Sequence, residues 1–577
     1  MYRRSLKVFM KLIGLRLMRR IPYSEWLRDV VEMLIPAKRE GWLKELRDLR
    51  RIRAEVSGAA IGPLYGCNPK RVLFIGSGQV SMVYLETFFR KSFELAGYCP
   101  VVLIPKKRIV KEAYENLGQQ ELVFIDEFEP LLPCRKARVG PFRSLSEMLA
   151  LSFRGIRCGK YAASTLMRTI RSGSFNFQSL DMRRIAADAV ATSIDFAIAA
   201  EQLIEAIKPD ALVCVDRGYS PSGELFDACI QKGIPAYTWN AAHRNNVVTL
   251  KRYTAHNEDV HPSSLSKASW GKLRALEWTD AHWKMVRGEL FDSYRSGEWY
   301  GEVGTQLNKK FISRADLLQR LSLEVDKKTA VIFPHIFWDS TFFWGEDLWG
   351  DYETWFIEVV KAACKNTKLN WIIKVHPANL VKNVRDKFLG ECSEVSAIDK
   401  SVGPLPSHIR LLGADTDIST FSIHQIMDYC LTVRGTIGIE AACFGIPVLT
   451  AGTGRYDRLG FTHDFVSREA YISQLESLPF LPSMTASQIE LARRYAYGVF
   501  LCRTAKLESL TLEFRKDSRA ELVTSMSEKA KRQIEKCDDI RDIASWITSG
   551  EEDYFELPGI NVKGDVTRRD DAKSQLI

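Results

Sequence analysis

The stretch DYCLTVRGTIGIEAACFGIPVLTAGTGRY (Asp428–Tyr456) decides the fold predicted for this chain. Its apolar runs predict a short buried strand over Cys430–Val433, a helix over Ile437–Phe444 and a second buried strand over Val448–Ala451. Strands that alternate with helices are typical of a parallel α/β sheet. The turn at 434–436 is therefore expected at the carboxyl edge of the sheet, where ligands of such folds bind.

This turn carries residues suited to an anionic ligand. Gly435 lets the backbone approach a ligand closely, and Thr436 is expected to cap the following helix. The first N–H groups of that helix attract phosphate, and Arg434 adds a positive charge. Glu440, one helical turn further on, is expected to accept hydrogen bonds from ribose hydroxyls. An ordinary crossover that binds nothing explains the same pattern.

A second stretch, WIIKVHP (Trp371–Pro377), predicts another buried strand that ends at the same edge. It places Lys374 and His376 where ligands bind. Asp339 follows the strand predicted over residues 330–333 in a similar way, and the Gly-rich loop over residues 452–461 returns Arg455 to the same edge. Lys374 and His376, together with the 434–436 turn and Glu440, form the predicted donor side of a site.

The run KVHP and the 428–456 stretch, with FTHDF after it, resemble the C-terminal half of the bacterial capsule polysaccharide biosynthesis proteins. That family includes transferases that use the CMP-activated eight-carbon acid sugar Kdo. The segment AVIFPHIFWDSTFFWGEDLWGDYETWF is also similar to surface-carbohydrate enzymes, and the resemblance spans residues 328–475. It implies a GT-B-type glycosyltransferase, in which two Rossmann-like domains face each other across a cleft.

The N-terminal half echoes this unit, with a strand over 209–215, a helix over 223–232, a Gly-Ile-Pro turn and a strand over 236–239. We therefore expect a second domain of the same type on the acceptor side. The candidate residues are Asp216, Glu224 and Asp339 as catalytic base or nucleophile, and Arg217 and His243 as acceptor contacts. Each of them also has an ordinary structural explanation, as a turn former, an exposed acid or a loop residue.

An earlier turn, Gly76-Ser-Gly78, approximates a dinucleotide fingerprint but has Ser81 at the third glycine position. The strand that follows ends in basic residues at 106–108, where an NAD enzyme has an acid. Because basic residues accept the 2′-phosphate of NADP, an NADP-dependent enzyme remains an alternative. We expect instead that the turn faces the cleft.

Composition is typical of a globular protein that binds anionic partners. The chain has 577 residues and a net charge of +10, but no nucleic-acid motif is visible. Its 12 cysteines are scattered, which indicates reduced cysteines of a cytoplasmic protein rather than disulfides or a zinc site. We expect no metal and no other cofactor. Residues 1–22 are basic and amphipathic, and they predict either peripheral contact with the inner face of an anionic membrane or a helix packed on the body.

Five segments are predicted. They are a basic helical N-terminal extension (1–60), an N-terminal Rossmann-like acceptor-side domain (61–320), a C-terminal Rossmann-like nucleotide-sugar-binding domain (325–480), C-terminal helices (481–550) and a disordered tail (551–577). The C-terminal helices include amphipathic patterns over 486–497 and 522–547, one of which is expected to cross back onto the N-terminal domain.

The predicted activity is transfer of a sugar from a CMP- or UDP-linked donor to a glycan or glycolipid acceptor. A nucleotide-sugar 2-epimerase shares the fold and similar His-Pro and Gly-x-x-Glu signals but uses no acceptor. A polyol-phosphate transferase also uses His-Pro, although its usual Thr-Asp-Tyr-Ser-Ser turn is replaced by Val-Arg-Gly-Thr at 433–436. A non-catalytic, membrane-associated assembly protein would bind no nucleotide.

Overall fold

The computed structural model of the chain describes residues 35–57, 61–128, 139–306, 308–339, 342–385, 390–514 and 522–558. In chain order the strands are β1 (Lys70–Ile75), β2 (Tyr98–Ile104), β3 (Glu121–Phe124), β4 (Ala211–Cys214), β5 (Ala236–Ala241), β6 (Val247–Tyr253), β7 (Thr329–Ile332), β8 (Asn370–Lys374), β9 (Ile409–Leu412), β10 (Tyr429–Thr432), β11 (Val448–Thr450), β12 (His463–Asp464), β13 (Thr504–Lys506), β14 (Leu510–Phe514) and β15 (Leu522–Met526). The α-helices are α1 (Pro36–Glu55), α2 (Val83–Leu95), α3 (Arg108–Asn116), α4 (Leu145–Leu149), α5 (Cys158–Ile170), α6 (Leu180–Ile207), α7 (Ser222–Gln231), α8 (Lys267–Ala275), α9 (Asp280–Ser296), α10 (Arg314–Arg320), α11 (Tyr352–Lys365), α12 (Ala378–Arg385), α13 (Ser393–Ser401), α14 (Thr420–Ile423), α15 (Thr436–Cys443), α16 (Arg468–Glu476), α17 (Ala486–Tyr497), α18 (Glu528–Gln533) and α19 (Asp538–Ser549).

The N-terminal sheet has seven strands in the order β13-β6-β5-β4-β1-β2-β3. Strands β1 to β5 run parallel, and β6 and β13 extend one edge through two antiparallel pairings. Helices cover both faces, since Phe88 of α2 and Leu203 of α6 lie in separate hydrophobic clusters with residues of the sheet. Coverage on both faces explains why the parallel strands are apolar runs.

The C-terminal sheet has six parallel strands in the order β12-β11-β10-β7-β8-β9. Strand β10, helix α15 and strand β11 form the unit predicted from the 428–456 stretch, and each boundary lies within one residue of its predicted position. The two sheets with their covering helices are Rossmann-like. The predicted fold class is therefore confirmed.

The helices α8, α9 and α10 pack with the C-terminal sheet that follows them. Leu290 of α9 and Leu317 of α10 share one hydrophobic cluster with Val331 of β7 and Ile439 of α15. The packing therefore groups these helices with the C-terminal sheet, whereas the sequence analysis placed them in the N-terminal domain.

The chain after α17 returns to the N-terminal domain. Strand β13 pairs with β6, and α19 packs against α2. The single helix predicted over 522–547 is wrong, because residues 522–526 form β15 and pair with β14 before α18 and α19 begin. Over five residues, strand and helix periodicities are hard to separate, and the pairing with β14 satisfies the backbone of this segment.

The disordered tail predicted over 551–577 is wrong at its start. Asp553 and Tyr554 are only 2% and 6% exposed, and Asp553 Oδ1 lies 2.8 Å from Lys251 Nζ. The buried ion pair explains the order of this segment. The rest of the tail, from residue 559, and the basic segment 1–22 lie outside the described residues. In the described part of the chain, no helix is long and apolar enough to cross a membrane.

Candidate active site

The carboxyl ends of both parallel sheets meet at one cleft, where side chains of the two domains touch. Tyr219, which follows β4, donates a hydrogen bond from its hydroxyl to Asp339 Oδ1 at 3.1 Å. At the end of α5, Arg171 Nη1 donates to Asn383 Oδ1 of the C-terminal domain at 2.8 Å. Because ligands of parallel sheets bind beyond the carboxyl strand ends, this cleft is the candidate site.

His376 follows β8 and is held as a neutral imidazole. Burial, with two lysine side chains nearby, lowers its pKa to about 3. Its Nδ1 accepts the N–H of Ala378 at 3.2 Å, so the ring proton lies on Nε2. The Nε2–H group has no hydrogen-bond partner among the described residues. It is therefore a neutral donor that a ligand can use.

His335 follows β7 and supports the turn before α15. Its Nε2 accepts the backbone N–H of Arg434 at 3.3 Å, and its ring stacks on Tyr352 with centroids 4.6 Å apart. Burial, with the nearby Arg434 charge, lowers the pKa of His335 to about 3. This neutral ring therefore positions the backbone of the turn.

The turn before α15 differs from the prediction in how the helix begins. Gly435 is the N-cap residue and Thr436 is the first helical residue, so Thr436 does not cap the helix. The Thr436 hydroxyl accepts a hydrogen bond from Arg455 Nη2 at 2.8 Å instead. A Cβ atom on Gly435 would lie 2.8 Å from Thr432 Oγ1, and this close approach explains the glycine.

Arg434 is bound within the protein and is only 4% exposed. Its Nη2 pairs with the Asp347 carboxylate, and its Nη1 donates to the backbone oxygen of Trp344. These contacts attach the loop over residues 342–349 to the turn. The prediction that Arg434 offers an open positive charge to phosphate is corrected, because Asp347 already neutralises the guanidinium.

Glu440 and Lys374 lie beneath the cleft and are 3% and 2% exposed. Burial raises the pKa of Glu440 to about 7, and Tyr294 donates its hydroxyl to Glu440 Oε2 at 2.6 Å. Burial lowers the pKa of Lys374 to about 7, and its Nζ donates to the backbone oxygen of Val375 at 3.2 Å. Both groups change charge near neutral pH. Their roles toward a donor stay predictions.

Asp216 and Asp339 come from different domains and share the guanidinium of Arg168. Arg168 Nη1 lies 3.6 Å from Asp216 Oδ2, and Arg168 Nε lies 4.0 Å from Asp339 Oδ1. Although burial opposes ionisation, Lys382 and Arg168 lower the pKa of Asp339. Partial removal from water raises the pKa of Asp216. Environments that move the pKa values of two carboxyl groups apart separate acid and base roles.

Three predicted residues are packed away from the cleft. Glu224 is fully buried and accepts hydrogen bonds from two serine hydroxyls at 2.5 Å. Arg217 lies between two aromatic rings, 4.3 and 4.5 Å from their centroids, and His243 Nε2 lies 2.6 Å from Glu289 Oε1. Their predicted catalytic and acceptor contacts are corrected, because protein groups surround all three side chains.

Two further residues, His261 and Tyr300, stand beside Arg455 without a predicted role. The His261 N–H donates to the Gly454 oxygen at 3.2 Å, and its ring lies against Trp344. The Tyr300 hydroxyl lies next to the side chains of Arg455 and the first residue of α15. In the sequence only the Gly-rich GTGRY loop indicated this part of the cleft, because His261 and Tyr300 come from distant segments.

No protein-family model and no curated protein matches this chain. Among solved structures, it is similar to the beta Kdo 2,4 transferase of KpsC from Thermosulfurimonas dismutans, with 10% identity, 55% of this chain and 85% of that chain covered, and a TM-score of 0.32. It is also similar to S. aureus MnaA in its structure with UDP (13% identity, 74% and 92% covered, TM-score 0.28). A third is CalG4, the calicheamicin glycosyltransferase (13% identity, 74% and 94% covered, TM-score 0.25). Similarities this low do not establish an activity or a substrate.

The chemistry available to the cleft follows from its side chains. One wall offers the neutral Nε2–H donor of His376 and the guanidinium of Arg455, which suit an anionic group. The other wall offers the half-exposed carboxyl of Asp216, which suits proton transfer. The cleft therefore combines an anion-binding side with a proton-accepting side.

Proposed function

We propose that this chain is a glycosyltransferase that takes a sugar from a nucleotide donor held by the C-terminal domain. The observation that carries the proposal is the neutral His376 donor at the end of β8, in a cleft whose opposite wall carries Asp216. Sugar transfer requires stabilisation of a phosphate leaving group and a base for the acceptor hydroxyl. These two residues supply both requirements from opposite domains.

In the proposed reaction, the bond between the anomeric carbon of the sugar and the nucleotide phosphate breaks. A new bond forms between that carbon and the acceptor oxygen, and the nucleotide leaves with the electron pair. His376 and the first N–H groups of α15 stabilise the charge that develops on the phosphate. Asp216 accepts the proton of the acceptor hydroxyl, while Asp339 stays ionised and holds Arg168 in place.

We further propose Kdo from CMP-Kdo as the donor and a capsular or other surface glycan, or a glycolipid, as the acceptor. Support comes from the resemblance of the KVHP and 428–456 motifs to the capsule polysaccharide family. A UDP-linked sugar is the alternative donor. Residues 1–22 carry seven basic side chains before the first acid at Glu25, which supports peripheral contact with the cytoplasmic face of an anionic membrane.

The first experiment measures binding of CMP, CDP, UDP and GDP by calorimetry, followed by sugar transfer from the preferred donor. We expect selective binding of CMP, and a transfer rate about 100- to 1000-fold lower in His376→Ala because a well-placed donor to the phosphate is lost. His256→Ala removes an exposed histidine from the same protein and serves as the matched control. Its rate should equal that of the wild type.

Two results would overturn the proposal. Failure of the wild type to bind any of the four nucleotides would remove the donor site. Conversion of a nucleotide sugar to its epimer without an acceptor would assign the chain to the 2-epimerases. Preference for UDP with transfer to an acceptor would retain the glycosyltransferase and replace only the donor.

A further inference from the structure

We propose that Arg455, rather than Arg434, is the residue that binds the phosphate of the donor. The inference rests on the proposed function and names the cation of the same site. It follows from the different ways in which the two guanidinium groups are used by the folded chain.

Both terminal nitrogens of Arg434 are already engaged by protein groups, and its Nε is buried without a partner among the described residues, as the Nε of Arg455 is. The contacts of Arg434 with the Asp347 carboxylate and the Trp344 backbone oxygen take both of its terminal nitrogens. Arg434 is buried and Asp347 is partly buried, with 5% and 19% of their side chains exposed. Opening such a pair leaves an uncompensated charge on each partner, which makes Arg434 a poor ligand for an incoming anion.

Arg455 makes only neutral contacts with its side chain in the described structure. Its Nη1 donates to the backbone oxygen of Arg434 at 3.0 Å, and its Nη2 donates to Thr436 Oγ1 at 2.8 Å. Its Nε is buried and has no partner among the described residues. Neither recorded acceptor carries a negative charge, so the positive charge of this guanidinium is not neutralised by its contacts.

Two other basic groups on the inter-domain face of the cleft are paired with carboxylates. Lys382 contacts Asp339, and Arg168 lies between Asp216 and Asp339. Each of these cations therefore has its charge compensated within the protein. Arg455 differs from them, and an anionic ligand supplies the missing negative charge.

The backbone around Arg455 is fixed before any ligand binds. Asp457 Oδ1 accepts the N–H groups of Gly454 and Arg455 at 2.5 and 3.2 Å. Tyr495 donates its hydroxyl to the Arg455 oxygen at 2.6 Å, and Gly454 has a φ of +91°, which favours glycine. A guanidinium on such an anchored loop loses little conformational entropy when it binds phosphate in a two-pronged geometry.

The position of Arg455 also matches the phosphate end of a nucleotide. Its side chain lies at the first turn of α15, whose N-terminal N–H groups favour the same charge. Its positive charge also reaches the buried Glu440 and His261, since it lowers the pKa of both. Arg455 thus lies within electrostatic range of Glu440, the predicted ribose ligand, and its side chain contacts the turn before α15.

The test compares each nucleotide with its nucleoside, which lacks the phosphate. Calorimetry of CMP against cytidine, and of UDP against uridine, measures the contribution of phosphate to affinity. In Arg455→Gln we expect nucleotide affinity to fall about 10- to 100-fold while nucleoside affinity is unchanged, as for loss of a charged hydrogen bond. Arg455→Lys keeps the charge without the planar fork and should give an intermediate value.

Two other arginines provide matched variants. Arg458→Gln removes an exposed arginine of the same loop, with 72% of its side chain exposed, and should leave both affinities unchanged. Arg434→Gln should lower the thermal unfolding midpoint without ligand, because the partly buried Asp347 is left unpaired.

The outcomes separate this inference from the proposed function. If wild-type protein prefers the nucleotide and Arg455→Gln keeps that preference, the inference is overturned and the glycosyltransferase proposal stands. If wild-type protein binds neither nucleotide nor nucleoside, both are overturned. Folding of each variant is checked by circular dichroism. If Arg455→Gln does not fold, the affinities of Arg455→Lys are compared with those of the wild type instead.

Discussion

At the scale of single residues, burial shifts the pKa of three glutamates in the same direction, although their surroundings differ. Burial raises the pKa of Glu86, Glu224 and Glu440 to about 7 in each case. Each carboxyl accepts at least one hydrogen bond from a hydroxyl group, which solvates it in place of water. Glu224 is enclosed by protein groups in spite of its raised pKa, so a raised pKa by itself does not identify a functional acid.

Glu224→Gln should stabilise the protein at high pH. The carboxyl pKa is raised from 4.5 to about 7 in the folded state, so wild-type stability falls as pH rises from about 4.5 through 7. The raised pKa lowers the free energy of unfolding of the wild type by roughly 3 kcal/mol above pH 7. The glutamine amide does not ionise, so the variant avoids this loss. We expect urea unfolding to show this gain at pH 8.5 and little gain at pH 5.

The same variant tests the reassignment of Glu224. Because the side chain is fully buried against two serines, nucleotide binding and sugar transfer should equal those of the wild type. A folded Glu224→Gln protein with its transfer rate reduced 100-fold would restore Glu224 as a catalytic candidate.

At the scale of elements, the entry into α15 depends on close packing by the loop that carries Arg455. Tyr456 donates its hydroxyl to the backbone oxygen of Gly435 at 2.6 Å, which joins this loop to the N-terminus of the helix. The first turn of α15 has room for that tyrosine because residue 438 is glycine. Helix and loop therefore hold each other in position at the cleft.

Gly438→Ala should destabilise the protein although alanine favours helix. A Cβ atom at this position would overlap the Tyr456 hydroxyl, and overpacking of this kind costs about 1–3 kcal/mol. The cost, measured by urea unfolding, should be smaller in a Tyr456→Phe background, since the overlapping oxygen is gone.

Gly288→Ala is the matched control for this prediction. It replaces a glycine in α9 whose added Cβ would meet no atom within 4 Å. We expect it to be neutral or to stabilise by up to about 1 kcal/mol through helix propensity. Equal effects of the two alanine substitutions would show that the overlap at residue 438 is relieved without cost.

At the scale of the whole molecule, the C-terminal segment packs against the N-terminal domain through a buried cluster of charged residues. After α19 the backbone passes Asp553, whose carboxylate lies 2.8 Å from Lys251 Nζ and 3.5 Å from Arg503 Nη2. Although burial opposes ionisation, the Arg503 and Lys251 charges lower the pKa of Asp553 well below its usual value. This cluster links β6, the segment that forms β13 and the end of the described chain.

Asp553→Ala should lower the thermal unfolding midpoint. It leaves the buried Arg503 without its carboxylate partner, and Lys251 keeps only the partly exposed Glu552 at 2.7 Å. Removal of one partner from a buried ion pair costs about 3–5 kcal/mol. Differential scanning calorimetry should therefore show a fall of several degrees.

The nearby Glu551→Ala serves as its control. Glu551 pairs with Lys272 at 3.4 Å, but half of each side chain is exposed. A change within about 0.5 kcal/mol is expected for such a surface pair. A loss in Glu551→Ala equal to that in Asp553→Ala would argue against the buried cluster as the contact that stabilises this packing.

Local patterns were sufficient to predict much of the fold and the edge at which the site lies. Strand β10, helix α15 and strand β11 were predicted to within one residue, because apolar runs and glycines at turns act within a few positions. His376 was placed at a strand end for the same reason. Strand β15 was missed because a short strand depends on a partner, β14, as much as on its own residues.

The sequence by itself determined the two parallel sheets and the residue types that follow their strands. The tertiary structure decided which of those side chains stay open to a ligand. Arg434 is neutralised by a residue 87 positions away, Glu440 is bound by one 146 positions away, and Lys251 is paired across 302 positions. Desolvation and Coulomb interactions depend on distance through space, and only the folded chain sets those distances.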